Sequence, residues 1–203
     1  MSVSYDPSRR ALQTAHDGLT AAFTRPYFLK LLADERRFSL EMGTPFCICL
    51  IDVDQLRKLN ETDGIHAGDA ILAGLAESVR NTLDLPQWQN LRVLIGRYDG
   101  DCFGLLMPGC RLDRAEKFAH VLRLRLERTD PRHRGITASF AIAAFKGDDT
   151  VDELLARAEK TMCLAKQFGG NGIEISRTIE FTRDLASVTR LPVAWHGQPA
   201  KSA

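Results

Sequence analysis

With 203 residues, 44% of them apolar and 26% charged, the chain is long enough to close one full hydrophobic core, and a globular domain is predicted. A net charge of +1 excludes the basic field of a nucleic-acid binder or of a protein held on an anionic membrane, and no apolar run reaches the length of a membrane span. Met1 to Arg10 is polar and lacks the apolar stretch of a secretory signal. The five cysteines include no Cys-x-x-Cys pair and are read as buried, reduced thiols of a cytoplasmic protein.

Residues 1–16 read as a polar lead-in, with the folded domain predicted over 17–176 and a loosely ordered tail over 177–203, which carries Pro192 and Pro199. A helix is expected from Pro26, with Phe28, Leu31, Leu32 and Phe38 on its apolar stripe and Gly43 as its stop. Phe46 to Val53 is a short continuous apolar run, the pattern of a buried strand, with Cys47 and Cys49 on one face and Asp52 and Asp54 at its end. A second helix fits Asp69 to Leu83, where Ile71, Leu72, Leu75, Val79 and Leu83 form one stripe before Pro86. Leu91–Tyr98 and Cys102–Met107 read as strands, and Asp99-Gly100 between them is a two-residue hairpin signal. A third helix spans Asp113 to Arg128 with Ala115, Phe118, Ala119, Leu122 and Leu126 inward. Ile136 to Phe145 is the next strand. Thr150 and Glu153 form a capping box for a fourth helix ended by Gly169 and Gly170, and Ile173–Ile175 is a short edge strand. The order predicts an α/β protein with a central mixed, largely antiparallel sheet flanked by helices.

Neither a Gly-x-Gly-x-x-Gly fingerprint nor a P-loop is present, so a nucleotide would have to be held another way. The candidate is a carboxylate pair on strand ends, Asp52 and Asp101. Two such groups on neighbouring strands can share Mg²⁺, which takes one or two carboxylates together with substrate phosphates. On pattern alone, aspartates at strand ends are more often solvated turn residues.

Several spaced motifs extend this reading. Asp17-Gly-Leu-Thr20 with Arg25, Asp52-Val-Asp-Gln-Leu-Arg-Lys-Leu-Asn60, Gly64 with Gly68-Asp69, Arg97-Tyr-Asp-Gly-Asp-Cys-Phe103, Ile136-Thr-Ala-Ser139 and Ala165-Lys166 with Gly169-Gly-Asn171 occur in that order. Together they resemble the GGDEF domain of bacterial diguanylate cyclases, over about Asp17 to Ile175. The resemblance implies a palm-like, nucleotidyl-cyclase-like fold. Active members of the family condense two GTP into cyclic di-GMP across a homodimer. By position it implies that Asp52, the carbonyl of Val53 and Asp101 hold Mg²⁺, with Asp52 and Asp101 as the catalytic pair. Asn60 and Asp69 would read the guanine edge, and Arg57 and Lys166 would contact phosphates. Asn60 could instead stabilise a turn, Asp69 could be an N-cap and Lys166 a last-turn cation.

The departures from the family pattern carry equal weight. In the signature Asp99-Gly100-Asp101-Cys102-Phe103, Asp99 stands for a glycine that lets backbone approach the nucleotide. A carboxylate there repels phosphate by about 3 kcal/mol per like-charge pair at ~5 Å before screening. Cys102 replaces the family's glutamate and Gly170 its arginine. Ile65 replaces a histidine, with His66 one position out of register, and Ala21, Thr24 and Ala141 also depart. The family's inhibitory Arg-x-x-Asp motif falls on Asn90 and Val93, so no inhibitory site is expected. These losses predict a regulatory or protein-interaction module of cyclic di-GMP signalling that binds GTP and Mg²⁺ weakly with little or no turnover. The alternatives are a working diguanylate cyclase and a partner surface without nucleotide. With no sensor segment or long coiled coil of its own, a homodimer would need the domain surface, the N-terminal segment or another protein.

Overall fold

The computed structural model describes residues 15–129 and 137–176. Helix α1 runs over Arg25–Met42 with Pro26 in its first turn. Gly43, in the left-handed region, closes it by donating to the Ser39 carbonyl. The elements then follow as β1 (Phe46–Val53), α2 (Leu56–Asp63), α3 (Ile65–Leu83), a 3₁₀ turn (Pro86–Trp88), β2 (Leu94–Asp99), β3 (Cys102–Pro108), α4 (Leu112–Thr129), β4 (Ala138–Ala144), α5 (Val151–Gln167) and β5 (Ile173–Ile175). The sheet order is β2-β3-β1-β4-β5. Strand β1 is antiparallel to both β3 and β4, β2 is antiparallel to β3, and only the short edge pair β4–β5 is parallel. The expected mixed, largely antiparallel sheet flanked by helices is the one observed.

Because β1 is central, both of its faces are covered, which is why its sequence does not alternate. Cys47, Cys49, Ile51 and Val53 pack with Leu59, Leu72, Leu75, Val79, Phe118 and Leu122 on the side of α2, α3 and α4. Phe46, Ile48 and Leu50 pack with Phe28, Leu32, Leu154, Ala158 and Met162 on the side of α1 and α5. Asp52 lies on this second face, at the strand's exit.

Gly96 and Gly104 are cross-strand partners in β2 and β3, and the fully buried ring of Phe28 lies across both. A Cβ at Gly104 would sit 2.6 Å from the ring, and one at Gly96 closer still. The pair forms the slot that seats α1 on the sheet. Gly96→Ala is therefore expected to lower stability by about 1–3 kcal/mol through overpacking, read as a lower urea midpoint at unchanged slope.

Some expectations shift. Helix α2 was not foreseen, and α3 starts at Ile65, four residues before Asp69. Gly64 (φ 85°) ends one helix and begins the next. Asp69 therefore lies inside α3 and is not its N-cap. Phe38 is exposed rather than on the buried stripe of α1. Strand β2 begins at Leu94, because Leu91 still closes the turn onto Trp88. The hairpin loop is Gly100-Asp101, one residue later than predicted. Asp99 pairs with Cys102 after an irregularity between Arg97 and Asp99, and neither loop residue is among those with positive φ. Ile136 lies outside the described residues, as do the lead-in up to residue 14 and the tail from 177. The capping box of Thr150 and Glu153 opens α5 as expected. All five cysteines are free; four are buried and Cys163 is exposed, contrary to expectation. Among the described residues no helix is long and apolar enough to cross a membrane.

Candidate functional site

The antiparallel register sets Asp52, at the end of β1, directly opposite Cys102 on β3, so their side chains share a face. Asp101 occupies the hairpin loop beside them. Burial pushes the Asp52 carboxyl above the usual range, and the charges of Asp101 and Asp54 push the same way against the opposing Lys166. Cys102 is buried. Desolvation first, then Asp52, Asp101 and Asp99, drive its thiol well above its ordinary value, so it is a neutral group. Asp99 is exposed at the tip, where its carboxylate accepts from the Gly100 N–H at 3.0 Å.

Lys166 reaches this group from the last turn of α5. Its ammonium lies 2.5 Å from Asp52 Oδ1, 2.6 Å from Asp54 Oδ1 and 3.2 Å from the Asp52 carbonyl. Burial alone would lower its pKa, but the hydrogen bonds to Asp52 and Asp54 outweigh that and raise it.

Asp54 is the residue that sequence reasoning left as a strand end. Just past β1, its N–H donates to the Thr137 carbonyl and carries the pairing with β4 one residue further. There its carboxylate accepts from Thr137 Oγ1 at 2.6 Å, Ser139 Oγ at 2.8 Å, the Asn171 N–H at 2.8 Å and Lys166. Burial pulls its pKa upward, and the Lys166, Thr137, Ser139 and Asn171 donors together bring it below the ordinary value. Gly170 (φ 75°) packs so closely on this carboxylate that a Cβ would lie 2.9 Å from it. Asn171 is held from its other side by Arg123 and Glu127 of α4. The Asp-x-Asp spacing was the available signal. In an extended chain that spacing puts both carboxylates on one face, and here both meet the Lys166 ammonium.

Asn60 and Asp69 come from the two helices joined at Gly64. The Oδ1 of Asn60 is buried without a hydrogen-bond partner, and it lies against Gly68, where a Cβ would collide with it. An orphaned acceptor of this kind suits a ligand donor such as a purine N–H. Asp69 is half-buried on the following turn of α3. Arg57 points away into solvent. Its side chain is 93% exposed and pairs with Glu61 at 3.0 Å, so the structure does not bring it to the Asp52 cluster. Asn90 is exposed in the loop before β2, and Val93 is half-buried there.

One further link was missed. Arg97 donates to Asp17 Oδ1 at 3.0 Å and to the Gly100 carbonyl at 3.1 Å, tying the Asp17–Thr20 turn to the hairpin loop. Thr20 donates twice to the same Asp17 oxygen, and Phe23 pairs with the backbone of β2.

The donor set suits a hard cation only in part. Asp52, the Val53 carbonyl and Asp101 are oxygen donors, and a divalent ion would relieve the repulsion felt by Asp52. A neutral thiol at Cys102 adds nothing to such an ion. No group of three or more His, Cys, Asp or Glu side chains gathers as a cage among the described residues. These residues fit Mg²⁺ arriving with phosphate oxygens rather than Mg²⁺ held by protein alone.

The chain is similar to known proteins in sequence and in fold. The family model described as "Diguanylate cyclase, GGDEF domain" matches residues 14–172. Diguanylate cyclase DgcM of Escherichia coli K12 is 26% identical over 162 residues, which cover 78% of this chain and 37% of DgcM. The chain thus spans little more than a third of the length of that curated relative. Among solved structures, the coiled coil and GGDEF domain of DgcB from Caulobacter crescentus, in complex with c-di-GMP, superposes with a TM-score of 0.74 at 21% identity. That match covers 83% of this chain and 88% of the DgcB chain, and it speaks for the fold. The diguanylate cyclase SiaD of Pseudomonas aeruginosa, in complex with its activator SiaC, matches with a TM-score of 0.72 at 26% identity, over 83% of this chain and 65% of SiaD.

Proposed function

Since the chain belongs to the GGDEF family, we propose that it serves cyclic di-GMP signalling as a cytoplasmic regulatory or protein-interaction domain that binds GTP with Mg²⁺ weakly and turns it over little or not at all. The observation that carries the reading is Cys102. A buried, protonated thiol faces Asp52 where the family pattern has a carboxylate. The nucleotide site then has one charged metal ligand fewer and an extra carboxylate at Asp99.

In this reading Asp52, the Val53 carbonyl and Asp101 hold Mg²⁺, which when bound supplies charge neutralisation at the phosphates. Asn60 and Asp69 read guanine, and Lys166 meets phosphate. Arg57 would have to leave Glu61 to join it. The partners are GTP, a signalling protein in the manner that SiaD is found with SiaC, and a second copy of the domain. A slow cyclase is the second reading, and the closeness of the Asp101 charge to Asp52 favours it, because that pair is the minimum turnover requires.

Calorimetry with GTP and Mg²⁺, followed by a product assay on the same sample, tests the proposal. Measurable GTP binding with negligible product is the expected result. Asn60→Ala and Asp69→Ala should each weaken binding about tenfold, the loss of one hydrogen bond with charged or orphaned character. Gly68→Ala should do the same by displacing Asn60. No GTP-dependent rise in melting temperature at millimolar nucleotide would refute the nucleotide reading.

A further inference from the structure

We infer that Lys166 is the resident cation of the Asp52 site, which keeps free divalent metal out and yields its place only to a metal delivered with the phosphates of a nucleotide. The ligand class, a nucleoside triphosphate chelate, rests on the functional proposal above; the exclusion of free metal does not.

An ammonium has three protons, and Lys166 Nζ meets three oxygens, at 2.5, 2.6 and 3.2 Å, two of them from Asp52. These Asp52 atoms are a carboxylate oxygen and the backbone carbonyl. Asp54 anchors the lysine there. Its Oδ1 is shared between Lys166 and Ser139, and its Oδ2 is committed to Thr137 and the Asn171 N–H. Asp54 is therefore spent as a metal ligand, and only Asp52 and Asp101 remain for a second cation. A bare divalent ion would meet those two carboxylates with an ammonium already in contact with one of them. It would ease the repulsion between Asp52 and Asp101, but to reach Asp52 Oδ1 it must break the contact that the lysine makes there. A triphosphate changes the balance, because it brings new anionic oxygens to the lysine as the metal takes Asp52. The long, flexible lysine stem permits that exchange without moving α5.

The test uses the full chain free of nucleotide and Mn²⁺ as probe, with free Mn²⁺ followed by electron paramagnetic resonance. The unaltered protein should show no saturable Mn²⁺ site at millimolar metal, and Lys166→Arg should behave the same. Lys166→Met should bind Mn²⁺ at least about tenfold more tightly, since a unit positive charge in contact with Asp52 has been removed. Adding Asp52→Asn should erase that gain. Equal Mn²⁺ affinity in the unaltered protein and Lys166→Met would overturn the inference.

Should Lys166→Met not fold, the Lys166 ammonium resonance of the unaltered protein answers the same question by NMR. Mg²⁺ alone should leave it in place, whereas Mg²⁺ with a non-hydrolysable GTP analogue should move it. Displacement by Mg²⁺ alone would refute the inference. An analogue that moves nothing, alongside the expected Mn²⁺ behaviour, would refute the nucleotide reading while supporting exclusion of free metal by Lys166.

Discussion

Asp54→Ala is expected to lose about 3–5 kcal/mol of folding stability, a drop of about 10 °C or more in melting temperature. The change removes the acceptor for Thr137, Ser139 and the Asn171 N–H and leaves Lys166 with Asp52 alone. The cost is dominated by what is stranded. A half-buried ammonium and an enclosed backbone N–H lose their partner together. Asp54→Asn keeps one acceptor oxygen but not the charge, and should fall between the two. The pH dependence gives an independent check. The folded-state pKa of Asp54 lies below its unfolded value, so its stabilisation is complete above about pH 4 and is lost as pH falls through the lowered folded value. The unaltered protein should therefore lose stability more steeply on acidification than Asp54→Ala does. Identical acid limbs would show that the carboxylate is not held as its contacts imply.

Restoring the signature should produce the largest gain in activity. Asp99→Gly combined with Cys102→Glu is expected to raise cyclic di-GMP synthesis about 10²-fold over a near-background parent, by returning a carboxylate to the proposed metal site and removing one from the end of β2. Mass spectrometry of product, in the presence of Mg²⁺, measures it. The single change Cys102→Glu should also cost on the order of 2 kcal/mol, because it buries an anion beside Asp52 and Asp101. That cost should shrink when Mg²⁺ and GTP are added. Robust synthesis by the unaltered protein, abolished by Asp101→Ala, would show that Cys102 and Asp99 are tolerated variants. Gly170→Arg does not belong in the restored set. A side chain there starts 2.9 Å from the Asp54 carboxylate on a left-handed backbone, so it would disturb the anchor of Lys166.

The sequence carried the sheet and most helices because their signals are local. Apolar continuity marked β1, the Thr150–Glu153 box marked α5, and helical stripes marked α3 and α4. Helix α2 was hidden because its buried face is only Leu56 and Leu59, too short a stripe to read. The hairpin was displaced by one residue because Asp-Gly suggests a left-handed turn, whereas the chain uses an irregular pairing before Gly100-Asp101. Asp52, Asp101, Asn60, Asp69 and Lys166 could be nominated from spaced motifs. The work of Asp54 could not, because its partners Thr137, Ser139 and Asn171 come from β4 and the turn before β5, far along the chain. Arg57 illustrates the converse: its motif position nominated it, and without ligand its exposed side chain pairs with Glu61 of its own helix.

The central position of β1 also bears on how the protein is made. Cys47 pairs with Met107 on one side and with Ala144 on the other, so the second partner emerges from the ribosome about a hundred residues later. At about 5–20 residues per second, that leaves an apolar strand unpaired on one edge for ~5–20 s of synthesis. Until β4 arrives, Phe46–Val53 keeps one row of backbone N–H and C=O groups unpaired and open to pairing with another chain.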